Sequence, residues 1–326
     1  MTTITPKTPW LRAGVVAASM TLAFGATQAL ADDYPAEDLD WTIAFGPGGG
    51  NDIMARTIID ILNKYDLYPE DISAENRAGG SGAVGWGYLY SKSGSAYDIS
   101  TTSGSFVTTP LQADTPWQPE DFTPVALLAT DDLALVVNGG SDVQTIQDLI
   151  AKAKAGPITI AGTGTVNVDF IVPTLFAEKA GFEFEYVSFN SMADQTTALL
   201  SNSVDAMVGN PGEIIGLVDS GDLRALVYSG VATPSALEGV PTMGDLGYDI
   251  GVSMPRGLIL APDAPAEAQQ WWIETMQQVV ETPEWDAYIE KNQLTENVIY
   301  GEDFRTFLAN TKNGFGEVLR SVGAIE

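Results

Sequence analysis

Twice in this chain an apolar run leads into a glycine-rich loop, and the loop leads into apolar residues spaced as on one face of a helix. In the first unit, residues 41–45 read as a strand and residues 46–50 as the loop. Ile53, Ile58, Ile61, Leu62 and Tyr65 then recur at helical intervals, with Asn51 or Asp52 placed to cap that helix. In the second unit, residues 158–161 read as the strand and 162–165 as the loop, and a helical pattern runs on towards Ala180. Strands alternating with helices predict an α/β architecture, a parallel or mixed sheet flanked by helices. The stretch from Asp32 to Glu326 is longer than one ordinary core, which predicts two lobes.

The two loops share a spacing as well: Gly46, Gly48 and Asn51 match Gly162, Gly164 and Asn167. A glycine loop lets the backbone approach a ligand closely, and the helix behind it presents free N–H groups and the positive end of its dipole. Two such termini, one per lobe, would clamp an anion. Plain tight turns would use the same residue types, but four glycines among residues 46–50 exceed what a turn requires. Nucleotide motifs are not supported. Gly80, Gly82 and Gly85 satisfy G-x-G-x-x-G, yet residues 72–76 before them are too polar for the buried first strand of a dinucleotide fold. Residues 46–52 lack the Gly-Lys-Ser/Thr ending of a P-loop.

At the N-terminus, Lys7 and Arg12 precede an apolar stretch, residues 13–24, and Ala29, Leu30 and Ala31 form an A-x-A-like cleavage site. About 12 apolar residues are too few to span a bilayer, which takes about 20. The sequence therefore predicts a secretory signal peptide, residues 1–31, cleaved after Ala31, and a periplasmic location. With neither histidine nor cysteine, the chain cannot build Ser-His-Asp or Cys-His nucleophilic sites, the usual zinc sites, or a disulfide framework. No metal, cofactor or enzymatic role is expected, although a secreted hydrolase working through two carboxylates stays open as an alternative. The chain carries 43 acidic and 15 basic residues, a net charge of −28, which argues against nucleic acid or anionic membrane as partners. The same field repels an anionic ligand at long range. Capture would then rest on local donors and on salt, whose screening length is about 8 Å at 0.15 M.

Seven segments occur in an order that carries a family resemblance: GPGGGNDIMAR, ENRAGGSGAVGWGYL, AGTGT, SFNSMADQTTALLSNSVDA, GDLRALVYSG, VPTMGDLGYDI and MPRGLILAPDAPAE. The sequence resembles the receptors of tripartite tricarboxylate transporters, also called the Bug family of periplasmic solute-binding proteins. The likeness covers essentially the whole chain after the signal peptide, and the Arg-Gly form of the last segment is closer to citrate-type receptors than the common Trp-Phe-Gly form. It implies a two-lobed periplasmic binding fold, each lobe a sheet flanked by helices, with the ligand in the cleft between lobes. The expected ligand is a small di- or tricarboxylate, citrate-like acids first, delivered by a monomer to a two-component integral membrane permease, with no cofactor. A ligand-sensing partner of a signalling system would share the fold. By chain order, residues 32–124 plus 253–326 form lobe 1 and residues 125–252 form lobe 2, with two crossovers as the hinge.

In that family one ligand carboxylate is held by backbone and hydroxyl donors and water from two loops, here Gly46, Pro47, Gly48, Gly49, Gly50, Asn51 and Asp52, and Gly162, Thr163, Gly164 and Thr165. Gly80 and Ser81, and Ser103 and Ser105 after a predicted strand at 97–101, fall at strand ends facing the same cleft, as do Asn190 and Asn210 in lobe 2. Each is also an ordinary loop residue type. Arg256, between Pro255 and Gly257 where the chain re-enters lobe 1, is the leading charged partner, since a guanidinium can hold a carboxylate through two parallel hydrogen bonds. A structural brace is its other reading. Arg56 and Arg224 read as surface ion-pair partners, and Arg77 adjoins the glycine loop at 79–82. Trp271, Trp272, Met276 and Val279 read as the buried stripe of a C-terminal helix. Two departures from the family pattern bear on the site. Asp169 stands where members commonly carry histidine, and would repel an anion unless it points away. Pro173 falls inside the expected helix, where it would cost about 3 kcal/mol or kink it.

Overall fold

The computed structural model describes residues 34–163, 167–189, 192–321 and 323–325. The first sheet is built from β1 (Leu39–Ile43), β2 (Ile72–Asn76), β3 (Asp98–Thr101) and β4 (Phe122–Thr130). The second contains β5 (Ala134–Asn138), β6 (Thr159–Thr163), β7 (Glu185–Phe189), β8 (Ala206–Gly209) and β9 (Leu223–Tyr228), after which β10 (Pro255–Pro262) and β11 (Thr295–Tyr300) return to the first. Helices fill the connections: α1 (Gly50–Lys64), α2 (Ala83–Tyr90), α3 (Gly104–Gln112), α4 (Ile146–Ala155), α5 (Val168–Ala180), α6 (Met192–Leu200), α7 (Pro211–Asp219), α8 (Ala266–Val279), α9 (Pro283–Asn292) and α10 (Gly301–Ser321).

Both sheets are mixed. The first runs β11-β4-β10-β3-β1-β2, with β1 parallel to β2 and β3, and β10 antiparallel to β3 and β4. The second runs β7-β6-β8-β5-β9, with β6 parallel to β7 and β8, and β5 antiparallel to β8 and β9. Parallel neighbours need crossover helices, which cover the sheet faces, so central strands lose their polar alternation. Strand β4, FTPVALLAT, is buried at every position. Edge strand β2 instead alternates partly buried and exposed residues, which explains its polar sequence. The first sheet extends through Thr130 rather than Pro124, and the chain passes between sheets at residues 131–133 and again at 229–254.

The core beneath α2 and α3 is aromatic. Trp86 meets Trp117 edge-on at 5.7 Å, and Phe106 stacks on Trp117 at 5.6 Å, geometries that suit the ring quadrupoles. Trp272 is fully buried against Trp41, with Met276 and Val279 on the same stripe of α8. Trp271 is only partly buried and rests edge-on against Tyr68.

Three local expectations shift. The first strand starts earlier, at Leu39, and Phe45 lies beyond its end. Residues 162 and 163 belong to β6 rather than to the loop, because Gly162 and Thr163 continue the parallel register with Ser188 and Phe189. Helix α5 runs unbroken through Pro173. The ring removes the N–H that would bond the Asp169 carbonyl, while the Thr174 hydroxyl donates to the Phe170 carbonyl at 2.6 Å in the same turn.

Candidate functional site

A cavity of about 350 Å³ opens between the two sheets. Three helix N-termini converge on it: α1 through Gly49, Gly50 and Asn51, α3 through Ser103, Gly104 and Ser105, and α5 through Asn167 and Val168. Phe45, Thr108 and Met254 supply the remaining wall, together with Arg256. Neither Gly49 nor Ser103 caps its helix with a side chain, so the first-turn N–H groups of α1 and α3 have no side-chain acceptor of that kind. The positive dipole ends of the three helices face the cavity, with Asp52 and Asp169 in the first turns of α1 and α5. Ser103 lines the cavity and is buried, and among the described residues its hydroxyl has no hydrogen-bond partner. A buried polar group left this way costs free energy until something bonds to it.

Among the described residues, Arg256 is the one cation of the lining. Its side chain is 16% exposed, and Nη2 pairs with the Asp131 carboxylate. The other carboxylate oxygen of Asp131 accepts from the Asn210 amide at 2.7 Å, and the Asp131 N–H donates to the Met254 carbonyl at 3.1 Å. Burial works to lower the Arg256 pKa, but Asp131 and Tyr288 together outweigh it and the net direction is upward, so the guanidinium stays charged. The guanidinium lies directly against the start of α1. A Cβ placed on Gly50 would come within 2.8 Å of Nη2 and 3.1 Å of Cζ. Glycine at position 50 is thus what allows a cation to sit on that helix end.

Asp132, next in sequence, braces the two crossovers between the sheets. Its carboxylate accepts from the Ser253 hydroxyl at 2.5 Å and from the Met254 N–H at 3.1 Å, tying the first crossover to the second. Burial pushes its pKa up to about 6, with Asp131 adding to the shift.

Of the residues predicted from sequence, Gly49, Gly50, Asn51, Ser103, Ser105 and Arg256 line this cavity. Gly46, Pro47 and Gly48 form the approach to α1 but are not part of the lining. Asp52 points into the fold: it accepts from the Gly48 N–H and Arg56 Nε, both at 2.8 Å, and from the Asn76 amide. This brace suits the loop because Gly48 takes φ +81°, a conformation unfavourable to residues with a Cβ. Asn51 does not cap α1. Its side chain turns to the end of β3, donating to the carbonyls of Thr101 and Thr102 and accepting from the Thr101 hydroxyl at 2.7 Å. Gly80 and Ser81 sit in a tight turn before α2, where the Ser81 carbonyl accepts from Thr109, away from the lining. Gly162 is packed beneath Tyr186, and the N–H and hydroxyl of Thr163 are both committed to Asp169. Asn210 reaches the cavity only through Asp131. Gly164, Thr165 and Asn190 lie outside the described residues, as does the predicted cleavage site.

The matched spacing of the two loops does not make matched roles. Asn167 caps α5, accepting from the Asp169 N–H at 3.2 Å and donating to the Thr163 carbonyl at 2.7 Å, whereas Asn51 is buried inside α1. Arg56 does form the expected ion pair. Arg224 instead donates to the carbonyls of Gly139, Ser141 and Val143, and Arg77 stacks 3.6 Å over the Tyr88 ring beside Glu75. Sequence reasoning passed over Asp131, Asp132, Thr108, Val168 and Met254. For the two acids a faint signal exists: they end a nine-residue apolar strand, an odd place for adjacent charges unless both are partnered.

Two lobes, each an α/β layer, with a cavity lined by helix N-termini between their sheets, define the class of periplasmic solute-binding folds. The profile of the Tripartite tricarboxylate transporter family receptor matches residues 56–324, and the chain belongs to that family. Among relatives, protein BugT of Bordetella pertussis is 28% identical over 238 residues, 71% of this chain and 72% of BugT. Among solved structures, a TctC solute binding protein from Polaromonas superposes with a TM-score of 0.81 at 22% identity, covering 88% of this chain and 99% of that one. An R. palustris protein solved with adipate superposes with a TM-score of 0.67 at 20% identity, covering 89% and 99%. Among the described residues, no helix is long and apolar enough to cross a membrane.

Proposed function

We propose that this receptor is exported, processed after Ala31, and captures a small di- or tricarboxylate, citrate-like acids included, for delivery to a two-component membrane permease. The observation that carries the reading is the meeting of three helix N-termini and Arg256 in one cavity, with termini from both sides of the cleft. Backbone donors at the helix ends and one guanidinium suit carboxylate oxygens, while Phe45, Val168 and Met254 suit a short carbon chain. A neighbour of the same fold was solved with adipate, a dicarboxylate, which fits this chemistry.

Closure would bring α5 towards α1 and α3 about residues 131–133 and 229–254, so that ligand shifts an open-to-closed equilibrium by its preference for the closed form. A thermal-shift screen of refolded, ligand-free protein beginning at Asp32 against organic acids tests the reading. Stabilisation by di- or tricarboxylates, and not by sugars or amines, is the expected result. Stabilisation by neutral solutes alone would overturn it.

A further inference from the structure

Among the described residues, the one cation of the cavity lining already has an anionic partner. Arg256 reaches Asp131 through Nη2, and Asp131 is held in that position by Asn210 at 2.7 Å and by its own N–H to Met254. Among the described residues the pairing uses Nη2 alone of the guanidinium nitrogens, so Nε and Nη1 remain as donors while the charge of the pair is already balanced. We propose that Asp131 sets the charge that the cavity accepts, making the receptor selective for dicarboxylates over tricarboxylates.

This rests on the carboxylate reading of the site and narrows it. Each helix N-terminus counts for roughly half a positive charge, and the three together for roughly 1.5 before the first-turn carboxylates are counted, Asp52, which Arg56 pairs, and Asp169. With Arg256 balanced by Asp131, that is countercharge for fewer than two carboxylates. A third carboxylate would have to leave water without a partner, which is costly in a partly closed cavity. Carboxylates behind the lining add to the penalty. Asp169 lies behind Thr163 at the start of α5, and Glu213 stands at the start of α7. Partial burial, followed by the fields of Asp131 and Asp169, pushes the Glu213 pKa up, so negative potential converges on that side of the cleft. Neutralising Asp131 would release the full charge of Arg256, and roughly 2.5 charges would then suit a tricarboxylate.

Glutarate and tricarballylate share a carbon chain and differ by one carboxylate, so their affinity ratio reads the effect directly. Titration calorimetry of the wild-type protein is expected to give glutarate at least tenfold tighter than tricarballylate. In Asp131→Asn that ratio should shift by at least tenfold towards tricarballylate, and Asp131→Ser should shift it in the same direction, each variant first showing a cooperative melt. Tighter binding of tricarballylate to the wild type overturns the proposal whether or not the variants fold. An unchanged ratio in a folded variant also overturns it while leaving the carboxylate reading intact. If neither acid binds the wild type, the carboxylate reading fails, and the role of Asp131 fails with it.

Discussion

The carboxylate of Asp169 accepts both the backbone N–H and the hydroxyl of Thr163, at 2.9 and 2.7 Å. An acidic side chain beside the cavity is thereby turned into the end of β6, and burial raises its pKa despite those two hydrogen bonds. Removing it strands a donor. Asp169→Ala is expected to lose about 1–3 kcal/mol of stability, and Asp169→Asn, which keeps an acceptor oxygen, to lose less. Urea denaturation at neutral pH measures both, and equal midpoints for wild type and Asp169→Ala would refute the brace.

Asp132 predicts a pH dependence. Its pKa is about 6 in the folded protein against an ordinary 3.8, so the native state binds this proton more tightly than the unfolded chain does. The resulting stability is fully present below about pH 4 and is lost as pH rises through about 6, amounting to about 3 kcal/mol at about 1.36 kcal/mol per unit. Carboxylates held below their ordinary range, such as Asp52 and Asp205, change stability in the opposite direction. The contrast to measure is therefore wild type against Asp132→Asn between pH 4 and 7. The variant should gain relative stability as pH rises, and parallel curves would contradict the buried-carboxyl account.

Gly50→Ala separates folding from binding. The added methyl would meet the Arg256 guanidinium, the far end of a flexible side chain, rather than backbone, and alanine also lowers the entropy of the unfolded chain. The variant should melt within a few degrees of wild type while binding carboxylate several-fold more weakly, because Arg256 is displaced from the end of α1. Wild-type affinity in Gly50→Ala would mean that the position of Arg256 does not matter. Gly49 is a less informative position: it takes φ −80°, and its nearest neighbour to an added Cβ is 3.7 Å away.

Where local chemistry determines structure, the sequence was readable. The apolar run into a glycine loop and then a helix marks α1 within a residue or two, and the convergence of that helix end with Ser103 and Ser105 follows from strand ends sharing one edge. The helical pattern before Ala180 likewise held despite Pro173, since one lost hydrogen bond does not outweigh burial of Ile171, Val172 and Phe176. Pairings distant in the chain were not readable. Arg256 and Asp131 are 125 positions apart, and nothing in the composition around either indicates the other. Asn51 and Asn167 show the limit of spacing arguments: the same residue at the same offset bonds to β3 in one loop and caps a helix in the other, because the strands end at different points relative to the two loops.

The most direct test of the account is calorimetric titration of refolded wild type and Arg256→Ala with whichever organic acid stabilises the wild type most. The account predicts saturable one-site binding by the wild type and an affinity about ten- to a hundredfold weaker in Arg256→Ala, the loss of one charge-assisted pair worth roughly 1.5–3 kcal/mol. Arg256→Lys should recover part of it, since a single ammonium cannot reproduce the planar donor set. Equal affinity in wild type and a normally folded Arg256→Ala would contradict the account and leave Arg256 as a brace for Asp131.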